Sequence, residues 1–109
     1  MPIHLVIHGH FYQPPRENPW TGAIERQESA SPFHDWNARV AHECYLPNAR
    51  SRVLDERGRI QDIVNNYERL SWNVGPTLLA WISEAAPDLL KALVAADRAS
   101  LSRLGHGNA

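Results

Sequence analysis

The chain has one cysteine, Cys44, and therefore no intrachain disulfide. It also has almost no net charge, since 11 Lys plus Arg against 12 Asp plus Glu leave −1 at pH 7. Such a surface has no long-range field to gather nucleic acid or anionic lipid, which excludes a polyanionic partner. Long apolar runs are absent as well. The stretch from Val74 to Ile82 contains Gly75 and Pro76 and falls short of the roughly 20 residues that a membrane span requires. The first residues lack the basic start and apolar run of a secretory signal. With the lone cysteine this points to a cytoplasmic protein that neither crosses nor binds a membrane. At 109 residues, 43% of them hydrophobic, one domain is the upper limit and a core is within reach.

What the chain does have is histidine, six in all, and four tryptophans, with His8, His10 and Trp20 grouped early. Ile3-His4-Leu5-Val6-Ile7-His8 is short and rich in branched apolar residues, as expected of a parallel strand buried on both faces. Gly9 to Ala30 follows neither the strand nor the helix period and holds three prolines and two glycines, which predicts a long loop. Loops of this length in compact domains are usually functional, so the site is expected here. Ser31-Pro32 reads as a helix start, and Phe33, Trp36, Val40 and Cys44 would line one side of a helix reaching about Tyr45. Pro47 predicts a second short helix through Leu54, closed by the polar turn Asp55-Glu56-Arg57-Gly58. In Ile60 to Tyr67 the residues Ile60, Ile63, Val64 and Tyr67 fit a helical turn while the local branching also permits a strand, and a short helix or irregular entry is the expectation. Leu70 to Val74 alternates apolar and polar side chains and predicts the second strand. Pro76 and Pro87 then each open a helix, with an apolar stripe continuing toward Leu104.

Strand, loop, helices, strand, helices is the order of parallel β/α units. Two such units leave their outer edges uncovered, so the pattern predicts part of a larger α/β sheet. The ending Gly105-His106-Gly107-Asn108-Ala109 reads as a loop leading into a further element, and truncation is the expectation. An incomplete domain of this kind would self-associate through its exposed apolar faces.

In parallel sheets ligands bind at the C-terminal ends of the strands. That places His8, His10 and the loop residues Gln13, Arg16, Glu17 and Trp20 at one strand end, and Asn73 and Gly75 at the other. Imidazoles, an amide, a guanidinium, a carboxylate and an indole suit a sugar, whose hydroxyls need directional partners and whose ring faces stack on aromatics.

The run His8-Gly9-His10-Phe11-Tyr12-Gln13-Pro14-Pro15-Arg16-Glu17-Asn18-Pro19-Trp20 resembles the first motif of glycoside hydrolase family 57, closest to an uncharacterised bacterial branch. The likeness continues through Pro32 to Asn37, Ile63 to Tyr67, Asn73 to Leu79 and Gly105 to Asn108, so it covers essentially the whole chain. The resemblance implies that residues 1–109 are the first two β/α units of a (β/α)7 barrel. It also implies a retaining mechanism on α-linked glucans, either hydrolysis or glucan transfer, with an oligo- or polysaccharide as partner and no cofactor. The family's nucleophilic glutamate and acid/base aspartate lie on later strands, so this chain alone is expected to be inactive. The family motif is usually His-Gln-Pro, whereas Phe11 and Tyr12 here separate His10 from Gln13-Pro14. Alignment on the strand makes His10 the sugar-binding imidazole; alignment on Gln-Pro puts Tyr12 there. His106 is a further candidate, as a loop residue reaching the same site.

Other readings of these residues stand beside the sugar one. His8 and His10, two apart on a strand, also match a metal-binding pair of a barrel hydrolase or deacetylase, though two ligands do not fill a zinc shell. Trp36, Trp72 and Trp81 follow apolar faces and suit core packing. Arg16 and Glu17 could simply be solvated, and Trp20 could anchor the loop. Cys44 belongs to a helical apolar face, and Asp35 and Glu43, about 12 Å apart along a helix axis, read as surface charges.

Overall fold

The computed structural model describes residues 2–109, which combine helices and strands in the α/β class. Strand β1 (His8–Phe11) pairs in parallel with β4 (Ser71–Val74), in the register His8 to Ser71 through Phe11 to Val74. Between them lie the helical turns α1 (Trp36–Val40) and α2 (Leu46–Ala49), and an antiparallel hairpin of β2 (Ser51–Leu54) and β3 (Ile60–Val64). Helices α3 (Pro76–Ala85) and α4 (Pro87–Leu104) follow β4. The parallel pair with helices after each strand agrees with the sequence reading; the inserted hairpin does not.

The first strand is displaced from its expected place. Ile3 to Ile7 are exposed and only His8–Phe11 is paired, because β4 is four residues long and the ladder exists only beside it. One face of β1 is open rather than both being covered, which also corrects the expected burial. The expected loop accordingly begins after Phe11. It is not structureless: Glu17 bridges Ile24, and Gly22, at φ 71°, donates its N–H to Asn18 O at 2.7 Å to tighten the turn between them.

The first helix starts at Asp35, not Ser31. Asp35 Oδ1 accepts from Ala38 N–H at 2.9 Å and Gln27 Oε1 accepts from Trp36 N–H at 3.0 Å, so two of the free N–H groups of the first turn are satisfied there. Asp35 is 6% exposed and so is a buried cap, which corrects its reading as a surface charge. The helix continues from α1 through a wide π turn, Ala41–Tyr45, into α2. Proline explains the widening: Pro47 has no N–H for the carbonyl four residues back, and its ring pushes against that turn. Asn48 Nδ2 donates to Cys44 O at 2.9 Å in the same stretch. The buried row is Asn37, Ala41, Tyr45 and Ala49, one step round from the expected Phe33, Trp36, Val40 and Cys44. Small alanines carry no signal in an apolar stripe, yet only they allow the helix to approach the core closely.

Two further expectations fail in the hairpin. Arg50 leaves the helix at φ −137°, so Ser51–Leu54 is extended rather than helical, and Ile60–Val64 is its partner strand. The turn between them is as expected. Asp55 Oδ1 accepts from Arg57 and Arg59 N–H at 2.8 and 2.9 Å, and Gly58 takes φ 77°. The backbone N–H of Arg59 is the main reason that the Asp55 carboxyl sits below its ordinary range.

Tyr67, Trp72, Leu78, Ile82, Leu89 and Leu93 form the centre of the core, between the β1–β4 pair and the two long helices. Pro76 and Pro87 occupy the first helical turns as predicted, and Gly105 ends α4 at φ 84°. The radius of gyration is 16.3 Å, against about 13 to 14 Å for a compact chain of this length. The chain is elongated around a small core. No described helix is long and apolar enough to cross a membrane.

Candidate functional site

Strand alternation puts His8, His10 and Tyr12 on one side of β1, and the register brings Ser71 and Asn73 beside the two imidazoles. His8 Nδ1 lies 2.9 Å from Ser71 Oγ, and His10 Nδ1 meets Asn73 Oδ1. An amide oxygen only accepts, so His10 Nδ1 is the donor in this contact. The Tyr12 ring lies parallel to His10, 4° between planes, and its edge crosses Gly75, where a side-chain carbon would come within 3.1 Å of Tyr12 Cδ2. The result is an open wall of donors and acceptors along one face of two parallel strands, from His8 and Ser71 at their start to Tyr12 and Gly75 just past their end.

The other sequence candidates go elsewhere. Gln13 points to the opposite side of the strand, where its Nε2 donates to Tyr45 OH at 3.1 Å. Arg16 Nη1 donates to Gln13 Oε1 and to the buried Asn37 Oδ1, each at 3.1 Å. Both ends of the Gln13 amide are thus engaged, and Arg16 ties the loop to α1. Replacing Arg16 with methionine is expected to raise the rate of proteolytic cleavage between Gln13 and Gln27 severalfold. That is the effect of losing about 1.5 to 3 kcal/mol of charge-assisted hydrogen bonding partly offset by solvent. Limited proteolysis followed by mass spectrometry checks it, and an unchanged cleavage rate would refute the anchoring role.

Glu17 accepts from Arg16 N–H at 3.0 Å and lines a cleft of about 550 Å³ with Asp35, Trp81 and Glu84. The indole of Trp20 is 93% exposed, and only its backbone is held, by Asn18 Oδ1. His106 lies on the far edge of β4, where Trp72 N–H donates to Asn108 O at 3.0 Å and Asn108 Nδ2 donates to Glu68 O at 2.8 Å. Those bonds hold Asn108, while His106 is exposed and its Nδ1 meets only Gly107 O, at 3.2 Å. The structure therefore joins His8, His10 and Asn73 of the candidates and separates Gln13, Arg16, Glu17, Trp20 and His106 from them.

No family model, curated protein or solved structure matches this chain. Its chemistry must be read from the residues themselves. Among the described residues no group of three or more His, Cys, Asp or Glu is placed to hold a metal ion. The two imidazoles engage the Ser71 hydroxyl and the Asn73 amide.

Sequence reasoning named Tyr12 only as the alternative to His10, and it overlooked Ser71. Ser71 had no signal, because its place beside His8 depends on register between strands 63 residues apart. Behind the wall, burial raises the phenol of Tyr67 and, less strongly opposed by the Gln13 hydrogen bond, that of Tyr45.

Proposed function

We propose that the chain is the N-terminal part of a cytoplasmic carbohydrate-active (β/α)7-barrel enzyme, a retaining glycosidase or glucan transferase acting on α-linked glucans. One observation carries this reading: His8, His10, Tyr12, Ser71 and Asn73 share one open face of a parallel strand pair, with Tyr12 just past its C-terminal end. The likeness of residues 8 to 20 to the first motif of glycoside hydrolase family 57 supports it. In this reading His10 Nε2 accepts from a sugar hydroxyl, Asn73 Nδ2 donates to a neighbouring oxygen, and the Tyr12 ring supports the apolar face of the pyranose. Gln13 and Arg16 hold the loop rather than the sugar. A retaining reaction needs two carboxyl groups about 5 to 5.5 Å apart across the bond. Those groups belong to later strands of the barrel, and the role of this segment is to orient the substrate.

Titration of the 109-residue chain with maltoheptaose, followed by amide and imidazole resonances, tests the assignment. Shifts at His8, His10, Tyr12 and Asn73 are expected, and His10→Ala is expected to weaken binding about tenfold, the loss of one hydrogen bond of about 1.4 kcal/mol. No shift on that face at about 10 mM glucan, ten times a weak 1 mM constant, would overturn it.

A further inference from the structure

Glycine stands at position 75, where neither the backbone nor the helix that follows requires it. Its angles, φ −61° and ψ 146°, are open to any residue and are those that a residue before proline prefers. Position 75 caps the start of α3, a place that serine, asparagine or aspartate fills better by offering an oxygen to a free N–H. Glycine offers no such oxygen, and it adds to the conformational freedom that the chain loses on folding. The reason for a glycine of this kind lies in what a side chain would strike.

What it would strike is Tyr12. A side-chain carbon on residue 75 would lie 3.1 Å from Tyr12 Cδ2, closer than such carbons ordinarily approach, and 3.9 Å from Tyr12 Cε2, while Phe11 O would be at an ordinary 3.8 Å. The backbone around Tyr12 has little room to yield. On one side Gly75 N–H donates to Phe11 O at 2.9 Å, and on the other the Gln13 side chain is engaged by Tyr45 and by Arg16. The Tyr12 side chain is half exposed, so the ring is the part that can give way. A methyl group at position 75 is therefore relieved by rotation of the ring about the Cα–Cβ bond of Tyr12, out of the plane it now holds parallel to His10.

We propose that Gly75 is a positioning residue for sugar binding, whose missing side chain leaves the Tyr12 ring the space to lie parallel to His10. The inference rests on the reading of this face as a sugar site. An aromatic ring supports the apolar face of a pyranose only when it is presented in the right plane. Gly75 thus acts through Tyr12 and does not touch the sugar itself. A side chain at position 75 and the removal of the Tyr12 ring then cause the same loss of binding, and the two losses do not add.

In the parent chain a strong nuclear Overhauser contact between the ring protons of Tyr12 and the Hα protons of Gly75 is expected, and its absence would overturn the proposal without any variant. Gly75→Ala is expected to keep a urea midpoint close to the parental one, to shift the His10 imidazole resonances and to bind maltoheptaose about threefold to tenfold more weakly. Tyr12→Ala is expected to weaken binding at least as much. The two substitutions together are expected to weaken it no further than Tyr12→Ala alone, because the methyl group then has no ring to displace. Should Gly75→Ala fail to fold, the combined variant is expected to recover folding; a combined variant that is equally unfolded would place the need for glycine in the backbone and overturn the proposal. Losses that add in full would overturn it as well. If the parent binds glucan and Tyr12→Ala binds it weakly, a Gly75→Ala chain that binds as tightly as the parent overturns the role of Gly75 and leaves the sugar reading intact. A parent that binds no glucan overturns the sugar reading and this role with it.

Discussion

Replacing Tyr67 with alanine is expected to leave the chain unfolded at 25 °C. Tyr67 is 1% exposed and joins three parts of the fold. Its OH donates to Tyr45 O at 2.8 Å in the first helical segment. Its ring meets Phe11 of β1 edge-on at 5.6 Å and Trp72 of β4 at 5.7 Å. Its carbonyl accepts from Trp72 Nε1 at 3.0 Å. Truncating a buried aromatic costs about 3 to 5 kcal/mol, and a small domain commonly has only about 5 to 15 kcal/mol in total. The elongated shape and the exposed apolar arm place this chain at the lower end of that range. Tyr67→Phe keeps the ring and removes one hydrogen bond, so a loss of about 1 kcal/mol is expected. Urea unfolding monitored by near-ultraviolet circular dichroism distinguishes the two. An alanine variant with a parental midpoint would show that the core does not pivot on this side chain.

Above pH 10 the protein is expected to lose stability steeply. Burial is the first cause that raises the phenols of Tyr45 and Tyr67 above their ordinary value of 10.0. Between that value and the raised one, the unfolded chain releases each phenolic proton while the folded chain retains it. The unfolded state then binds fewer protons, so stability falls as pH rises, by about 1.4 kcal/mol per pH unit for each tyrosine. Below pH 10 both states are protonated and neither group contributes a slope. Tyr67→Phe is expected to remove the larger part of the alkaline slope while leaving the neutral-pH stability only slightly reduced. The measurement is urea midpoint against pH, with phenolate absorbance recorded on the same samples. A midpoint that stays level above pH 10, or phenolate appearing well before unfolding, would contradict the burial of these two rings.

Much of the helical architecture was legible in the chain because its signals are local. Pro76, Pro87 and Gly105 act through their own backbone angles, and each stands where it was expected to start or stop a helix. The second strand was legible for a similar reason: Trp72 and Val74 turn inward and Asn73 outward as alternation demands. The hairpin was not. Ile60 to Val64 has branched residues at spacings that suit either period, and only the partner Ser51–Leu54 decides between them. The first helix was misplaced because Ser31 and Asp35 are both acceptable caps, and the choice depends on Gln27, which reaches Trp36 N–H from across the loop.

The candidate site divides along the same line. That His8 and His10 point the same way follows from a strand's two-residue repeat, and no other fold of this segment as a strand would separate them. That Asn73 and Ser71 complete the wall, that Gln13 and Arg16 turn inward to Tyr45 and Asn37, and that Asn108 is held beside the start of β4 are consequences of contacts between distant segments. By itself, then, the sequence determined what nearest neighbours control: helix ends, turn glycines, strand alternation and the absence of a membrane-length apolar helix. Register, the identity of the buried helix row and the partners of each polar side chain were decided by tertiary structure. They depend on which surfaces meet, and the energy of that meeting is not a property of any short stretch of chain.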